Sequence, residues 1–248
     1  MSAAPVPPLD VPRHRGWRRA SAVAFCLLAT LTFLALGIWQ AERRSWKLDL
    51  IARIDARIHA APVAPPPPAR WDAVNDRADA YRRIRLVGRF DHRKETLVQA
   101  LTERGAGFWV LTPLLTDNGI YLVNRGFVPG DRRDPASRAQ GQVQGRIAVT
   151  GLLRITEPVG AFLRHNDPAA GRWYSRDVGA IARFKSLEHV APFFVDADAT
   201  PNPGGLPIGG LTVVSLPNNH LVYMLTWFAL AALSAFGAVQ LLRREPAR

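Results

Sequence analysis

Two strongly apolar stretches of the chain are free of formal charge: residues 20–39, twenty in number, and residues 221–242, twenty-two. A helix rises about 1.5 Å per residue, so about twenty apolar residues cross the roughly 30 Å hydrocarbon layer of a bilayer. Both stretches are predicted to be transmembrane α-helices. A cleaved signal peptide is the alternative for the first. Its apolar run exceeds the roughly 7–15 residues of such peptides, and Trp39-Gln40-Ala41-Glu42-Arg43 lacks a small-residue cleavage pattern. Beyond the first span, Trp46, Leu50, Ile54 and Ile58 recur at every fourth position, which predicts an amphipathic continuation of the helix. Pro62 and the four prolines at 65–68 then end it in a short extended linker.

From Tyr81 the period of the pattern changes to two. Ile84, Leu86 and Phe90 share one face, with Arg83, Arg85 and Arg89 among the remaining positions, the alternation of a half-buried strand. Further strands are predicted at 95–101, 107–114, 120–128, 143–155, 192–196 and 211–215, with turn residues such as Asp117-Asn118-Gly119 between several of them. Residues 175–184 read as a short helix with Val178, Ile181 and Ala182 on one side. The expected fold is a membrane protein in which two transmembrane helices flank a mainly antiparallel β domain, sandwich or barrel, with one or two helices. The expected organisation is a tail at 1–19, a first span at 20–39, the β-rich domain with its leading helix and linker at 40–220, a second span at 221–242 and a tail at 243–248.

Charge sets the expected orientation. Arg13, Arg15, Arg18 and Arg19 precede the first span, and Arg243, Arg244 and Arg248 follow the second; the opposite flanks offer Arg43, Arg44, Lys47 and Arg53. Basic flanks stay in the cytoplasm, so both termini are expected there, with the central domain periplasmic. The net charge of +12 comes from 32 Lys+Arg against 20 Asp+Glu. The arginines are scattered singly among acids rather than gathered in a stripe, which argues against nucleic acid and for anionic lipid or an acidic partner surface.

Candidate chemistry is sparse. The single cysteine, Cys26, lies in the first span and rules out an intramolecular disulfide or a multi-cysteine metal site. No Gly-x-Ser-x-Gly occurs, and His14, His59, His92, His165 and His189 are too far apart for local chelation. His220 is different: it is the only histidine between Asp198 and Arg243, in a stretch without formal charge, and it stands at the entrance to the second span. A helix beginning there places Tyr223, Met224 and Trp227 on its face. One reading is an interfacial histidine in an aromatic belt. The other is a neutral imidazole binding the iron of a porphyrin.

Six stretches then occur in series. They are Gly37-Ile38-Trp39-Gln40 with Arg43 and Lys47; Gly88-Arg89-Phe90-Asp91 with Lys94-Glu95; and Leu122-Val123-Asn124-Arg125-Gly126-Phe127-Val128-Pro129. Arg172-Trp173-Tyr174-Ser175-Arg176-Asp177, Pro192-Phe193-Phe194-Val195-Asp196-Ala197 and Asn218-Asn219-His220-Leu221-Val222-Tyr223 with Thr226-Trp227 complete them. The series resembles the Surfeit-locus cytochrome c oxidase assembly family and spans about residues 37–235. The resemblance implies an assembly factor, not an enzyme, for haem–copper terminal oxidases. It implies haem a as a transient cofactor, the largest oxidase subunit as partner, and haem a synthesis enzymes as further partners. In bacterial members a histidine at the start of the second span is implicated in haem a binding, and His220 is the matching position and the expected iron ligand. Tyr223 and Trp227 extend the expected site, and Arg43, Arg125 and Arg176 are candidates for the haem propionates, which need cationic partners. Structural readings stand beside these: a strand kink for Gly126, a turn or barrel rim for Asn124 and Arg125, packing for Trp173 and Tyr174. The short amino terminus points to a bacterial plasma membrane rather than a mitochondrial one. Rival functions are a haem-independent scaffold for an oxidase subunit, an extracytoplasmic enzyme, and a copper chaperone, for which thiolate pairs are missing.

Overall fold

The computed structural model describes residues 14–158, 160, 164–212 and 217–243. The described residues fall into two compact units: 14–51 with 217–243, and those between 52 and 212. Helix α1, His14–His59, is 46 residues long, about 69 Å at the helical rise. It contains the first apolar stretch and the predicted amphipathic continuation without a break, and it ends just before Pro62, which cannot supply an N–H to the helix and disfavours helical backbone before it. Helix α4, His220–Arg243, is 24 residues long. Both are long and apolar enough to cross a membrane. They leave Phe25, Leu28, Leu31, Leu233 and Phe236 more than half exposed to their surroundings. A soluble core helix would cover such side chains with protein; here the bilayer is the covering that fits.

The second unit is built on six strands: β1 Arg83–Phe90, β2 Thr96–Thr102, β3 Gly105–Thr116, β4 Gly119–Pro129, β5 Ile147–Ile155 and β6 Val190–Ala197. The sheet order is β1-β5-β6-β4-β3-β2. Pairing of Arg89 with Leu115 and Phe90 with Leu114 then joins β1 to β3 and closes a ring of five strands, with β2 flanking β3. Closure leaves the five strands of the ring without the free edges of an open sheet, and β2 alone remains an edge strand. Every pairing is antiparallel except β4–β6. Pro192 lies where the β4–β6 register shifts, so its missing N–H interrupts no regular ladder.

Alternation along the strands builds two cores. Ile84, Leu86, Tyr121, Val123, Phe193 and Val195 pack in one cluster; Leu111, Leu122, Phe194, Val178 and Ile181 pack in the other. The central strands β4 and β6 therefore bury both faces. Helix α2 is the single turn Asp76–Asp79, and helix α3, Val178–Phe184, covers the second cluster. Asp177 caps it by accepting the Ala180 N–H at 2.9 Å.

Five expectations need correction. The predicted helix at 175–184 begins only at Val178, because Ser175 and Arg176 are drawn into side-chain networks upstream of the cap. The predicted strand at 143–155 begins at Ile147, and Gly145 upstream takes a positive φ of 82°, outside strand geometry. The prolines at 65–68 are not a free spacer: Val63 bridges to Ile84, and the buried Trp71 indole donates to the Pro66 carbonyl at 3.1 Å. Of the predicted strand at 211–215, Leu211 and Thr212 are not strand, and 213–215 lie outside the described residues. A fifth concerns Asn124 and Arg125, which lie buried within β4 rather than at a turn or exposed rim.

Candidate functional site

In the helix unit, α1 and α4 run antiparallel. Arg19 donates to the Leu241 carbonyl at 2.8 Å, and Phe33 stacks on Trp227 with centroids 5.7 Å apart. Gly37 makes the approach close: a Cβ there would lie 2.6 Å from the Phe228 ring. At the far end of this contact, His220 Nδ1 meets Gln40 Oε1 at 2.7 Å. An amide oxygen can only accept, so Nδ1 carries the hydrogen and donates. In the neutral ring that leaves the lone pair on Nε2, the form a metal requires, and Nε2 has no hydrogen-bond partner among the described residues. Gln40 is buried, while His220 is half-buried. A hydrogen-bonded acceptor on the opposite ring nitrogen is the usual way a ligating histidine is oriented and made more basic. The sequence motif contained Gln40 but assigned it no role; its signal was an uncharged polar residue closing an apolar run.

α4 begins at His220, so Tyr223 and Trp227 follow one and two turns along. Tyr223 is exposed, and Trp227 is half-buried against Phe33. Arg43 lies one turn beyond Gln40 on α1, its guanidinium 4.1 Å from the centre of the Trp46 ring.

Arg125 and Arg176 belong to the barrel unit, each in its own polar network. The first network centres on Asp196, 2% exposed. Its Oδ1 accepts from Asn124 at 2.8 Å and Arg176 at 3.3 Å; its Oδ2 accepts from Arg154 at 2.7 Å and Thr212 at 3.0 Å. Arg176 also grips Glu157 through Nε at 2.9 Å and Nη2 at 2.6 Å. Burial alone would pull the Arg176 guanidinium down, but Asp196 and Glu157 together carry it above its ordinary value. Two arginines and two carboxylates thus neutralise one another beside a cavity of about 460 Å³ that Trp109 and Leu211 also line. Sequence reading named Arg176, quoted Asp196 in a motif without giving it a role, and missed Arg154 and Glu157; the four are scattered in the chain and meet only through the β5–β6 pairing and the segment before α3.

The second network is unbalanced. Arg138 holds both oxygens of Glu95, with the two side chains only 1% and 6% exposed. Arg125 is 2% exposed and reaches only neutral acceptors: the Gly141 carbonyl, and Asn202 Oδ1 at 3.0 Å. Burial, and Arg138 after it, draws the Arg125 guanidinium down to about 10 against the pull of Glu95. It remains charged at neutral pH. A shift of that size means its charged form costs the fold about 3 kcal/mol.

His92 sits at the edge of this network and donates Nε2–H to the Val143 carbonyl at 2.9 Å. Burial pulls its pKa below 6.5, and Arg125 adds to the effect, against the raising influence of Val143, Glu95 and Asp91. A base held neutral in the fold is protonated more readily in the unfolded chain. The unfolded state therefore takes up the extra protons as the pH falls through 6.5, and stability declines in that window. We expect the thermal midpoint of the protein to fall between about pH 7.5 and about pH 5.5, and the His92→Gln variant to show a shallower fall. An unchanged slope in the variant would remove His92 from this account.

The profile of the SURF1 family matches residues 27–232. The chain belongs to the SURF1 family. Among curated relatives, Surfeit locus protein 1 of Homo sapiens is 38% identical over 230 residues, covering 85% of this chain and 74% of that protein. Surfeit locus protein 1 of Takifugu rubripes is 36% identical over 231 residues, covering 86% and 93%. A SURF1-like protein of Monosiga brevicollis is 36% identical over 235 residues, covering 88% and 86%. The SURF1 match begins inside α1 and ends inside α4. It therefore takes in the Gln40–His220 pair and all six barrel strands, the two apolar helices and the β domain being parts of one family unit.

Proposed function

We propose that this SURF1-family protein is an assembly factor for a haem–copper terminal oxidase and that His220 holds haem a for, or within, the largest oxidase subunit. The observation that carries the reading is the hydrogen bond from His220 Nδ1 to Gln40, which fixes the tautomer with a lone pair on Nε2 at the boundary of an apolar helix pair. A porphyrin brings four nitrogens of its own and asks the protein for an axial donor, and one imidazole supplies it. The bound haem would contribute the redox-active iron; the chain's own part is to orient the imidazole and offer Tyr223 and Trp227 as apolar and aromatic neighbours. Arg43 is the cation of the same unit available to a propionate, whereas Arg176 already has Glu157 and Asp196. One imidazole without a second strong ligand suits a carrier that must release its cargo. Both termini lie in the cytoplasm and the barrel in the periplasm of a bacterial inner membrane on this reading, which the excess of arginine on the terminal flanks supports. Enzymes of haem a synthesis are the natural donors of the cargo.

The test is co-expression with haem a synthesis, purification in detergent and an absorption spectrum. Wild-type protein should carry haem a, His220→Ala at least about tenfold less, and Gln40→Leu should weaken retention about 10- to 100-fold, the range for losing a residue that orients a ligand. Undiminished haem a in His220→Ala would overturn the ligand assignment. Full oxidase assembly by a haem-free His220→Ala would show a scaffold instead.

A further inference from the structure

The outer side of β2 is left half paired. Against β3, the residues Val98, Ala100 and Thr102 turn their main-chain groups inward to Trp109, Gly107 and Gly105, so those of Gln99 and Leu101 point outward. The Trp173 carbonyl takes the outward Gln99 N–H at 2.8 Å, and Val98 forms a parallel bridge with Trp173. The pairing stops there, because Asn166 Oδ1 accepts the N–H groups of Tyr174 at 2.7 Å and Ser175 at 3.1 Å and draws that segment aside. The carbonyl of Gln99 and both main-chain groups of Leu101 have no hydrogen-bond partner among the described residues. The Leu101 side chain is 85% exposed. Open strand groups beside an exposed leucine are a template for another strand.

A groove of about 620 Å³ runs along this edge. Leu101, Ala106 and Phe108 border it from one face of the β2–β3 pair, and Arg164 and Tyr174 border it from beyond the edge. No acidic residue lines it among the described residues. Arg164 lies 5.4 Å from the centre of the Tyr174 ring and Arg133 5.3 Å from that of Phe108. Both arginines are exposed and have no carboxylate partner among the described residues, whereas Arg132, Arg146 and Arg172 face Asp131, Asp117 and Asp167.

We propose that the β2 edge docks an extended, acidic segment of a partner protein, which adds as a strand beside Gln99–Leu101, lays apolar side chains over Leu101 and Phe108 and reaches Arg164 with a carboxylate. An added strand satisfies all three open main-chain groups at once, which neither a lipid headgroup nor a small anion does. The acidic character follows from two uncompensated cations beside an apolar groove. The surface belongs to the barrel unit alone, so it goes beyond the haem reading and fails or holds without it.

The probe is a fluorescein-labelled peptide, Thr-Val-Thr-Val-Thr-Glu, followed by fluorescence anisotropy with the detergent-solubilised full chain. Its comparisons are the same peptide with Lys in place of Glu and a copy with its backbone nitrogens methylated. The probe should bind saturably, and both comparisons at least about fivefold more weakly, the size of one net hydrogen bond. Leu101→Pro removes an outward N–H that β3 does not use, a place where an edge strand tolerates proline, and its ring fills the position of the incoming acceptor. It should weaken the probe at least about tenfold. Arg164→Glu, at an exposed position, should weaken it at least about fivefold and restore binding of the Lys peptide; it decides the matter if Leu101→Pro fails to fold. Absence of saturable binding, equal binding of the methylated copy, or unchanged binding in Arg164→Glu would overturn the proposal. A dimer of the full chain that Leu101→Pro dissociates would assign the edge to a second copy and overturn it as well.

Discussion

Replacing Asp196 with alanine is expected to destabilise the barrel by about 3–5 kcal/mol, the range for removing one member of a buried ion pair. Four donors converge on this carboxylate, from Asn124, Arg154, Arg176 and Thr212. Arg176 would keep Glu157, but Arg154 would keep only a distant approach to the same acid at 3.7 Å. A buried guanidinium stripped of its counter-charge is what makes the loss severe; the intact pair by itself contributes far less. Asp117 is the control. It grips Arg146 at the surface with its side chain 75% exposed, and solvent screens such a pair, so Asp117→Ala should leave the thermal midpoint unchanged. A barrel that tolerates Asp196→Ala as well as Asp117→Ala would show that the network is not structural.

Gly126→Ala should be nearly as damaging. β4 contributes Arg125 and Gly126 where β3 contributes one residue between Trp109 and Leu111, a bulge in which Gly126 takes a φ of 125°. A side chain in that region costs about 1–3 kcal/mol in backbone strain. A Cβ would also lie 2.0 Å from the Ile208 carbonyl oxygen, main chain that cannot swing aside. The segment at 208 would have to withdraw, breaking its two hydrogen bonds of 2.9 Å with Phe127, each of net value about 1 kcal/mol. We expect a total loss of about 3–5 kcal/mol by these routes. Gly130→Ala, with nothing within 4 Å of its Cβ, should shift stability by less than about 0.5 kcal/mol. Thermal unfolding of the two variants in the same detergent checks both numbers.

These two sites also mark where sequence reading stops. The glycine of Asn124-Arg125-Gly126-Phe127 reads as a strand kink, and the structure places a bulge there. What the kink accomplishes is invisible in sequence, because it depends on the return of residues 206–210 against β4. Asp196 sits in an apolar run, Pro192-Phe193-Phe194-Val195-Asp196, where alternation puts it on the face of Phe194. Its burial is legible from that pattern, but its partners are not, since Asn124, Arg154 and Arg176 arrive from 72, 42 and 20 residues away. Arg125 and Arg176 look alike as motif arginines. Folding makes one a satisfied ion pair and leaves the other short of an anion, a difference set by where Glu95 and Glu157 fall relative to each.

The order of residues alone determined the two apolar helices, the β character of the domain between them, the family, and His220 as the imidazole at the start of the second helix. These are local properties: period, length of an uncharged run, and short motifs are all read within about twenty neighbours. Tertiary structure decided the closure of the strands into a barrel, the docking of the prolines, the pairing of His220 with Gln40 across 180 residues, and the sorting of the buried charges into one neutral and one cationic network. Those depend on which side chains meet after chain reversal, and hydrogen bonds and ion pairs act over a few ångströms in space irrespective of separation along the chain.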